Sequence, residues 1–236
     1  MFGFFSARNS IEGSGLVTGF IDNHSHILYG VDDGVQTKED SLKILSYLEH
    51  AGAVEVWLTP HVMEDVPNTT SSLKARFEEL KDSYNGVLKL NLASENMIDS
   101  LFFERLKTMD FLFHGDGKLL VETSTWSAPM DFWDILDTLL VRGCVPIIAH
   151  PERYRYMDMN DYSRLLDMGT ILQLNLPSII GVYGEDVRRK AQSLLAKGMY
   201  AMTGTDCHRF NALHTQFTSS VLTRSEISAL SALMKV

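Results

Sequence analysis

The stretch Asp22-Asn23-His24-Ser25-His26, which runs on to Val31-Asp32-Asp33-Gly34, decides how the rest of the chain is read. It follows an apolar segment, Leu16 to Ile21, that suits a buried strand. Side chains alternate along a strand, so imidazoles at i and i+2 project to the same side. At a strand end this sets two neutral nitrogens side by side, ready for one metal ion or a close pair. Imidazole suits zinc, iron or manganese, while the carboxylates of Asp32 and Asp33 favour harder ions. Two neighbouring histidines also arise by chance, so the decision falls to the other strand ends.

A chain of 236 residues is long enough for a single α/β barrel. Its 45% hydrophobic and 22% charged content fits a globular protein with a substantial core. The formal charge of −9 argues against nucleic acid as a partner, because phosphate backbones need a clustered basic surface. No apolar run is long enough to span a bilayer. The greasy Phe2–Phe5 is interrupted by Arg8, Asn9, Ser10 and Glu12 too soon for a signal-peptide core, so a cytoplasmic protein is expected. Cys144 and Cys207 lie far apart and make no disulfide framework. Cysteine-dependent phosphatases carry arginine six positions after the nucleophile; here those positions hold His150 and Leu213. Cys144 is therefore expected in the core, and Cys207 beside the site rather than as its nucleophile.

Runs of strand length alternate with amphipathic segments, the pattern of repeated βα units. Helices are expected at Lys38–His50, Thr69–Tyr84, Ile98–Leu106, Asp131–Arg142, Asn160–Met168, Val182–Lys197 and Arg224–Lys235. After the first strand, further strands are expected at Val54–Leu58, Val87–Ala93, Lys118–Val121, Val145–Ala149, Thr170–Leu174 and Met199–Thr203. No linker, repeat or low-complexity tract divides them. The expectation is one domain over residues 1–236, with residues 1–18 as a lead-in.

Polar residues fall at the ends of these strands. In β/α barrels the active site lies at the C-terminal ends, on the loops entering the helices. If seven strands close into a distorted β/α barrel, His24, His26, Asp33, His61, Glu95, Glu122, His150, Asp206 and His208 converge on one mouth. Nine donors exceed what one ion uses and suit a cluster of two or three. Such a cluster supports hydrolysis, acidifying a water and clamping substrate oxygens. Phosphate monoesters fit best, and Arg153, three residues beyond His150, offers a planar fork for the phosphate. The plainer role for Arg153 is a surface ion pair with Glu152 or Asp158.

These residues carry a resemblance. Asp22-x-His24-x-His26, Thr59-Pro60-His61, Glu95, Ala149-His150-Pro151-Glu152-Arg153-Tyr154 and Thr205-Asp206-x-His208 resemble the polymerase-and-histidinol-phosphatase (PHP) superfamily. Within it, the chain is similar to the bacterial metal-dependent protein tyrosine phosphatases of capsule and exopolysaccharide operons. The likeness covers about residues 20 to 210. It implies a distorted seven-stranded, TIM-like α/β barrel with the nine residues above as metal ligands, Asp33 taking the role rather than Asp32 by its place in Asp-Asp-Gly. It further implies manganese, with iron, zinc or magnesium as other occupants, and phosphotyrosine on the tail of a membrane-associated autokinase as substrate. Arg153 would hold the phosphate with Tyr154 beside it, and Asp206 and His208 would take part in catalysis. The chain departs from some relatives after His61, reading Val62-Met63-Glu64-Asp65 where they have basic residues.

Other groups are read more plainly: His50 as a helix-end cap, His114 and His214 as surface or outer-layer groups, and Tyr29 and Trp126 equally as packing residues or as groups near the mouth. Asp22 is expected to orient a ligand histidine, and Asn175 to line the mouth. Two other functions stay in view: hydrolysis of a small phosphomonoester such as histidinol phosphate, and a metal-stabilised binding module without turnover.

Overall fold

Alternation along the chain builds parallel strands whose buried faces are covered by helices. The computed structural model describes residues 8–236; Phe2–Phe5 lie outside the described residues. In order, the elements are β1 (Ile21–Ser25), α1 (Lys38–Ala51), β2 (Glu55–Leu58), β3 (His61–Val62), α2 (Thr70–Ser83), β4 (Lys89–Leu92), β5 (Glu95–Met97) and α3 (Ser100–Thr108). There follow β6 (Lys118–Glu122), α4 (Phe132–Val141), β7 (Val145–Ala149), a 3₁₀ turn (Pro151–Arg153), α5 (Met159–Asp167), β8 (Ile171–Asn175), α6 (Leu176–Ile179), α7 (Glu185–Ala196), β9 (Met202–Gly204), α8 (Phe210–Thr218) and α9 (Arg224–Leu233). All paired strands are parallel, in the orders β1-β2-β4 and β3-β5-β6-β7-β8-β9.

The two sheets are one distorted barrel of seven staves. The second stave is broken into β2 and β3 at Thr59-Pro60, where proline has no N–H to give a neighbour. The third is broken into β4 and β5. Bonds bridge the breaks: Thr59 N–H to Ser25 O at 2.8 Å, Ala93 N–H to Leu58 O at 2.9 Å and Glu95 N–H to Pro60 O at 3.1 Å. On the far side the chain beyond β9 meets β1, with Asp206 N–H to His24 O at 2.8 Å and His26 N–H to Cys207 O at 3.0 Å. The buried Asp22 carboxylate reinforces this seam, accepting from the Thr205 N–H at 2.8 Å and hydroxyl at 2.6 Å. It ties two strands together rather than orienting an imidazole ring.

Leu120, Ile147, Ala149 and Met202 form a small apolar cluster of their own. By the two-residue period, Glu122 projects to the same side as Leu120, one step nearer the strand end. The larger core lies between sheet and helices, with α1 contributing Ile44, Leu45 and Leu48 and α4 contributing Phe132, Ile135, Leu136 and Leu139. Thr37 caps α1 by accepting from the Asp40 N–H, Gly52 ends it at φ 108°, and Thr69 and Ser72 form a capping box on α2.

Several boundaries differ from expectation. Leu16–Ile21 is not the first strand. Residues 11–19 are turns, with Gly15 at φ 77° and Gly19 at φ 79°, and Leu16, Val17 and Phe20 bury from them. β1 starts at Ile21 and carries the histidines within and just beyond it. Residues 8–18, expected as a lead-in, pack into the body through Ile11 and a bridge from Asn9 to Leu222. The expected helix from Val182 starts at Glu185 because Gly181 and Gly184 both sit at φ 91°. Among the described residues no helix is long and apolar enough to cross a membrane.

Candidate metal centre

The side chains gather at the C-terminal ends of the strands. His24 is the fourth residue of β1 and His26 follows its end; His61 opens β3, Glu95 opens β5 and Glu122 closes β6. His150 and Asp206 follow β7 and β9 in left-handed backbone, at φ 34° and φ 50°. Non-glycine residues seldom adopt that conformation, and where they do it turns a side chain sharply at a site. Three groups have donor atoms within 4.8 Å of one another: His26, Asp33, His61 and His208; His24, His26 and Asp206; His61, Glu95 and Glu122. His150 stands outside these groups but places Nε2 2.9 Å from Glu95 Oε1. Glu95 lies at the middle, its Oε2 3.2 Å from both His24 Nε2 and His26 Nε2 and 3.1 Å from His61 Nδ1.

Tautomers show that this geometry asks for cations. His24 Nδ1 lies 3.0 Å from Gln173 Oε1, and His26 Nδ1 lies 2.8 Å from Asp32 Oδ2. Both contacts assign the ring proton to Nδ1 and leave a lone pair on Nε2. Yet the two Nε2 atoms face each other at 3.1 Å. His208 Nδ1 is likewise 2.8 Å from the Asp206 carbonyl, directing Nε2 toward Asp33. Buried atoms of His61 (Nδ1), Glu95 (Oε2) and Glu122 (Oε1) have no hydrogen-bond partner, although His61 Nδ1 lies 3.1 Å from Glu95 Oε2 and 3.0 Å from Glu122 Oε1. Buried imidazole and carboxylate donors converging this closely could hold a shared ion. The mixed imidazole and carboxylate donors fit divalent metals.

Charge points the same way. Burial works against the carboxylates of Glu95 and Asp206, but the surrounding histidines hold both well below the usual range. Burial also works against protonated His61, and His26 repels it, yet Glu95 and Glu122 raise its pKa to about 10. Without metal, protons occupy a place where the carboxylates demand positive charge. His208 is lowered, by burial and by its neighbour His26.

Supporting residues lie just outside. Asp32 also accepts the His61 N–H at 3.0 Å and the Gly34 N–H at 2.9 Å, so it orients the donors while Asp33, with its side chain 72% exposed, faces the mouth. Gln173 and Asp32 do the orienting expected of Asp22. Gln173 shares the inward parity of Asn175 on β8, which was a readable signal. The mouth, about 360 Å³, is lined by Asp33, His61, Glu122, Arg153, Tyr183 and His208 among others. Arg153 reaches it and pairs with Asp206 Oδ2 at 3.2 Å, not with Glu152 or Asp158. Its guanidinium lies 4.4 Å from the centre of the Tyr183 ring. Asn175 and Tyr183 also contact Asp206 Oδ2, at 2.7 and 3.4 Å. Tyr183 had no signal in the sequence, since it falls in the segment expected to be helix.

Tyr154 does not line the mouth. It is fully buried, its hydroxyl accepts the Thr123 N–H at 3.2 Å, and its ring stacks on Tyr156, so it does not reach a substrate. Asn175 is buried behind Asp206 rather than lining the mouth. His114 is not a surface group: it is buried, stacked on Trp57 with ring centres 3.9 Å apart, and burial lowers its pKa to about 4. His50 is exposed and caps the Ser46 carbonyl at 2.6 Å, and His214 is exposed on α8. Cys144 and Cys207 are both buried, and burial pushes both thiols up, Cys144 to about 11.

The profile of the capsular polysaccharide synthesis family CpsB/CapC matches residues 20–221. The chain belongs to the CpsB/CapC family. Tyrosine-protein phosphatase CpsB of Streptococcus agalactiae is 25% identical over 211 residues, covering 81% of this chain and 84% of the relative. Tyrosine-protein phosphatase YwqE of Bacillus subtilis is 26% identical over 211 residues, covering 86% and 83%. Solved structures of YwqE from Bacillus subtilis and CpsB from Streptococcus pneumoniae, described as unique metal-dependent tyrosine phosphatases, share this CpsB/CapC fold at TM-score 0.74, with 24% identity over 83% of each chain.

Proposed function

We propose that this protein is a metal-dependent phosphatase that hydrolyses phosphotyrosine on a protein. Its partner in this reading is the tail of a membrane-associated tyrosine autokinase that controls capsular or exopolysaccharide synthesis, met in the cytoplasm. One observation carries the chemistry: nine metal-type donors and one arginine meet at a single mouth. Family membership and relatives named tyrosine-protein phosphatases support the substrate class.

In this reading His24, His26 and Asp206 would hold one ion, His61, Glu95 and Glu122 with His150 beside them a second, and His26, Asp33, His61 and His208 a third. Manganese is the expected occupant. Bound divalent ions supply acidified water and neutralise the charge on phosphate oxygens. The chain's own contribution is orientation. Asp32 and Gln173 hold the rings of His26 and His24, so their Nε2 lone pairs stay aimed inward. Arg153 brings a permanent cation with a planar fork; one arm is held by Asp206, and the others are free to bind phosphate oxygens. Tyr183 backs that guanidinium. A tyrosine phenol, with a pKa near about 10, leaves more readily than an aliphatic alkoxide, so the reaction places little demand on a separate acid.

The test is kcat/KM across phosphotyrosyl peptides, p-nitrophenyl phosphate and histidinol phosphate, in manganese. Phosphotyrosyl substrates are expected to lead. A small metabolite turned over orders of magnitude faster than every phosphopeptide would overturn the protein-phosphatase assignment.

A further inference from the structure

The rim of the mouth is chemically lopsided. Near β3 it is lined by Met63 and Met97, and Glu64, exposed just after β3, has its carboxylate accepting from the Ser100 hydroxyl. Toward β7 and β8 it carries Arg153 and, two residues on, Arg155. A groove of about 450 Å³ lined by Arg155 meets the mouth at Arg153 and Tyr183, which line both. Of the other charges lining the groove, Glu152 is buried and accepts from Asn175 and Tyr200, and Glu185 has no cationic partner among the described residues. Lys190 donates to the Tyr154 and Met157 carbonyls, at 2.5 and 3.0 Å, and Asp186 pairs with Arg189. The Arg155 guanidinium has no carboxylate partner among the described residues. It lies 3.7 Å from the centre of the Trp126 ring.

Trp126 is 68% exposed, on the loop between β6 and α4. Met130 on the same loop is 100% exposed, and Val182, on the loop between α6 and α7, is 58% exposed. A backbone bond from the Arg155 N–H to Thr125 O at 2.8 Å holds the Trp126 loop against the segment after β7. A large exposed aromatic ring against an arginine whose groove opens into the mouth has the composition of a protein-recognition contact. An exposed tryptophan beneath an unpaired guanidinium offers a flat contact and a charge at once.

We propose that Trp126 and Arg155, with the groove leading from them to Arg153 and Tyr183, dock the polypeptide that carries the phosphotyrosine, with Arg155 taking an acidic side chain near the phosphorylated residue. The proposal rests on the phosphatase reading and deepens it. A small phosphomonoester fills the mouth without reaching Arg155. A polypeptide must cross the rim, where Arg155 stands without a carboxylate partner among the described residues.

Trp126→Ala and Arg155→Ala can be compared with the unaltered protein on p-nitrophenyl phosphate and on phosphotyrosyl peptides with acidic or neutral flanks. Peptide affinity is measured in parallel by fluorescence anisotropy. Both variants should keep p-nitrophenyl phosphate kinetics within about twofold. Trp126→Ala should raise KM and Kd for both peptides about tenfold; Arg155→Ala should do so for the acidic peptide far more than for the neutral one. Equal losses on p-nitrophenyl phosphate and peptides, or unchanged peptide KM and Kd, would overturn the docking surface. If no phosphoester is hydrolysed but peptide affinity still falls in both variants, docking stands and the phosphatase reading fails.

Discussion

Asp32 and Asp33 are adjacent carboxylates with opposite employment. Asp32 is tied to the His26 ring and two backbone N–H groups, whereas Asp33 faces the mouth. Asp32→Asn should therefore weaken metal affinity about 10- to 100-fold, as loss of an outer carboxylate partner does, while saturating manganese restores most of the rate. Manganese titration of activity checks this; an unshifted titration would count against the orienting role. Arg153→Ala should lower kcat/KM about 100- to 1,000-fold at unchanged metal content, because it removes a charge-assisted contact to phosphate and no metal donor. Arg153→Lys keeps the charge but not the fork, so it should restore only part of the loss. At this scale the sequence was informative where chemistry is written in residue type, as for the histidines and Arg153. It was silent where burial decides: Tyr154 sits beside Arg153 in the chain yet points into the core.

At the scale of elements, the parity of β1 aims His24 and His26 to one side, and close approach of β9 sets them there. A Cβ on Gly204 would lie 2.4 Å from His24 Cβ and 3.0 Å from its backbone nitrogen. Neither neighbour is a flexible side-chain end. Gly204→Ala should cost about 1–3 kcal/mol or more of stability and lower metal content, read from denaturant midpoints and metal analysis. A fully stable, metal-replete variant would contradict the packing of β9 against β1. The seven-stave pattern was legible because helix and strand periods alternate clearly and because polar residues recur at strand ends. The breaks in the second and third staves were not, since they arise from pairing across the sheet. α8 was missed although Phe210, Leu213 and Phe217 carry a helical spacing.

At the scale of the whole molecule, burial of His114 between Trp57 and the Asn23 carbonyl makes stability depend on pH. This histidine is buried against Trp57, and burial lowers its pKa from 6.5 to about 4. The unfolded chain binds the proton more tightly, so the stabilisation is complete above about pH 6.5 and is lost as pH falls toward 4. The loss amounts to roughly 2 kcal/mol by pH 5. His114→Phe removes this titration, so its stability should fall less than that of the unaltered protein between pH 7 and pH 5. Equal falls in urea midpoint would contradict a buried, neutral His114.

The metal cluster is the claim on which the rest depends, and one sample tests it most directly. The purified protein is stripped by chelation, its metal content measured, and hydrolysis of a phosphotyrosyl peptide followed before and after manganese is returned. The expected result is loss of turnover in step with loss of metal and recovery on its return, with no recovery in a variant carrying both His24→Ala and His26→Ala. Undiminished turnover by metal-free protein, or by that double variant, would contradict metal-dependent hydrolysis at this mouth.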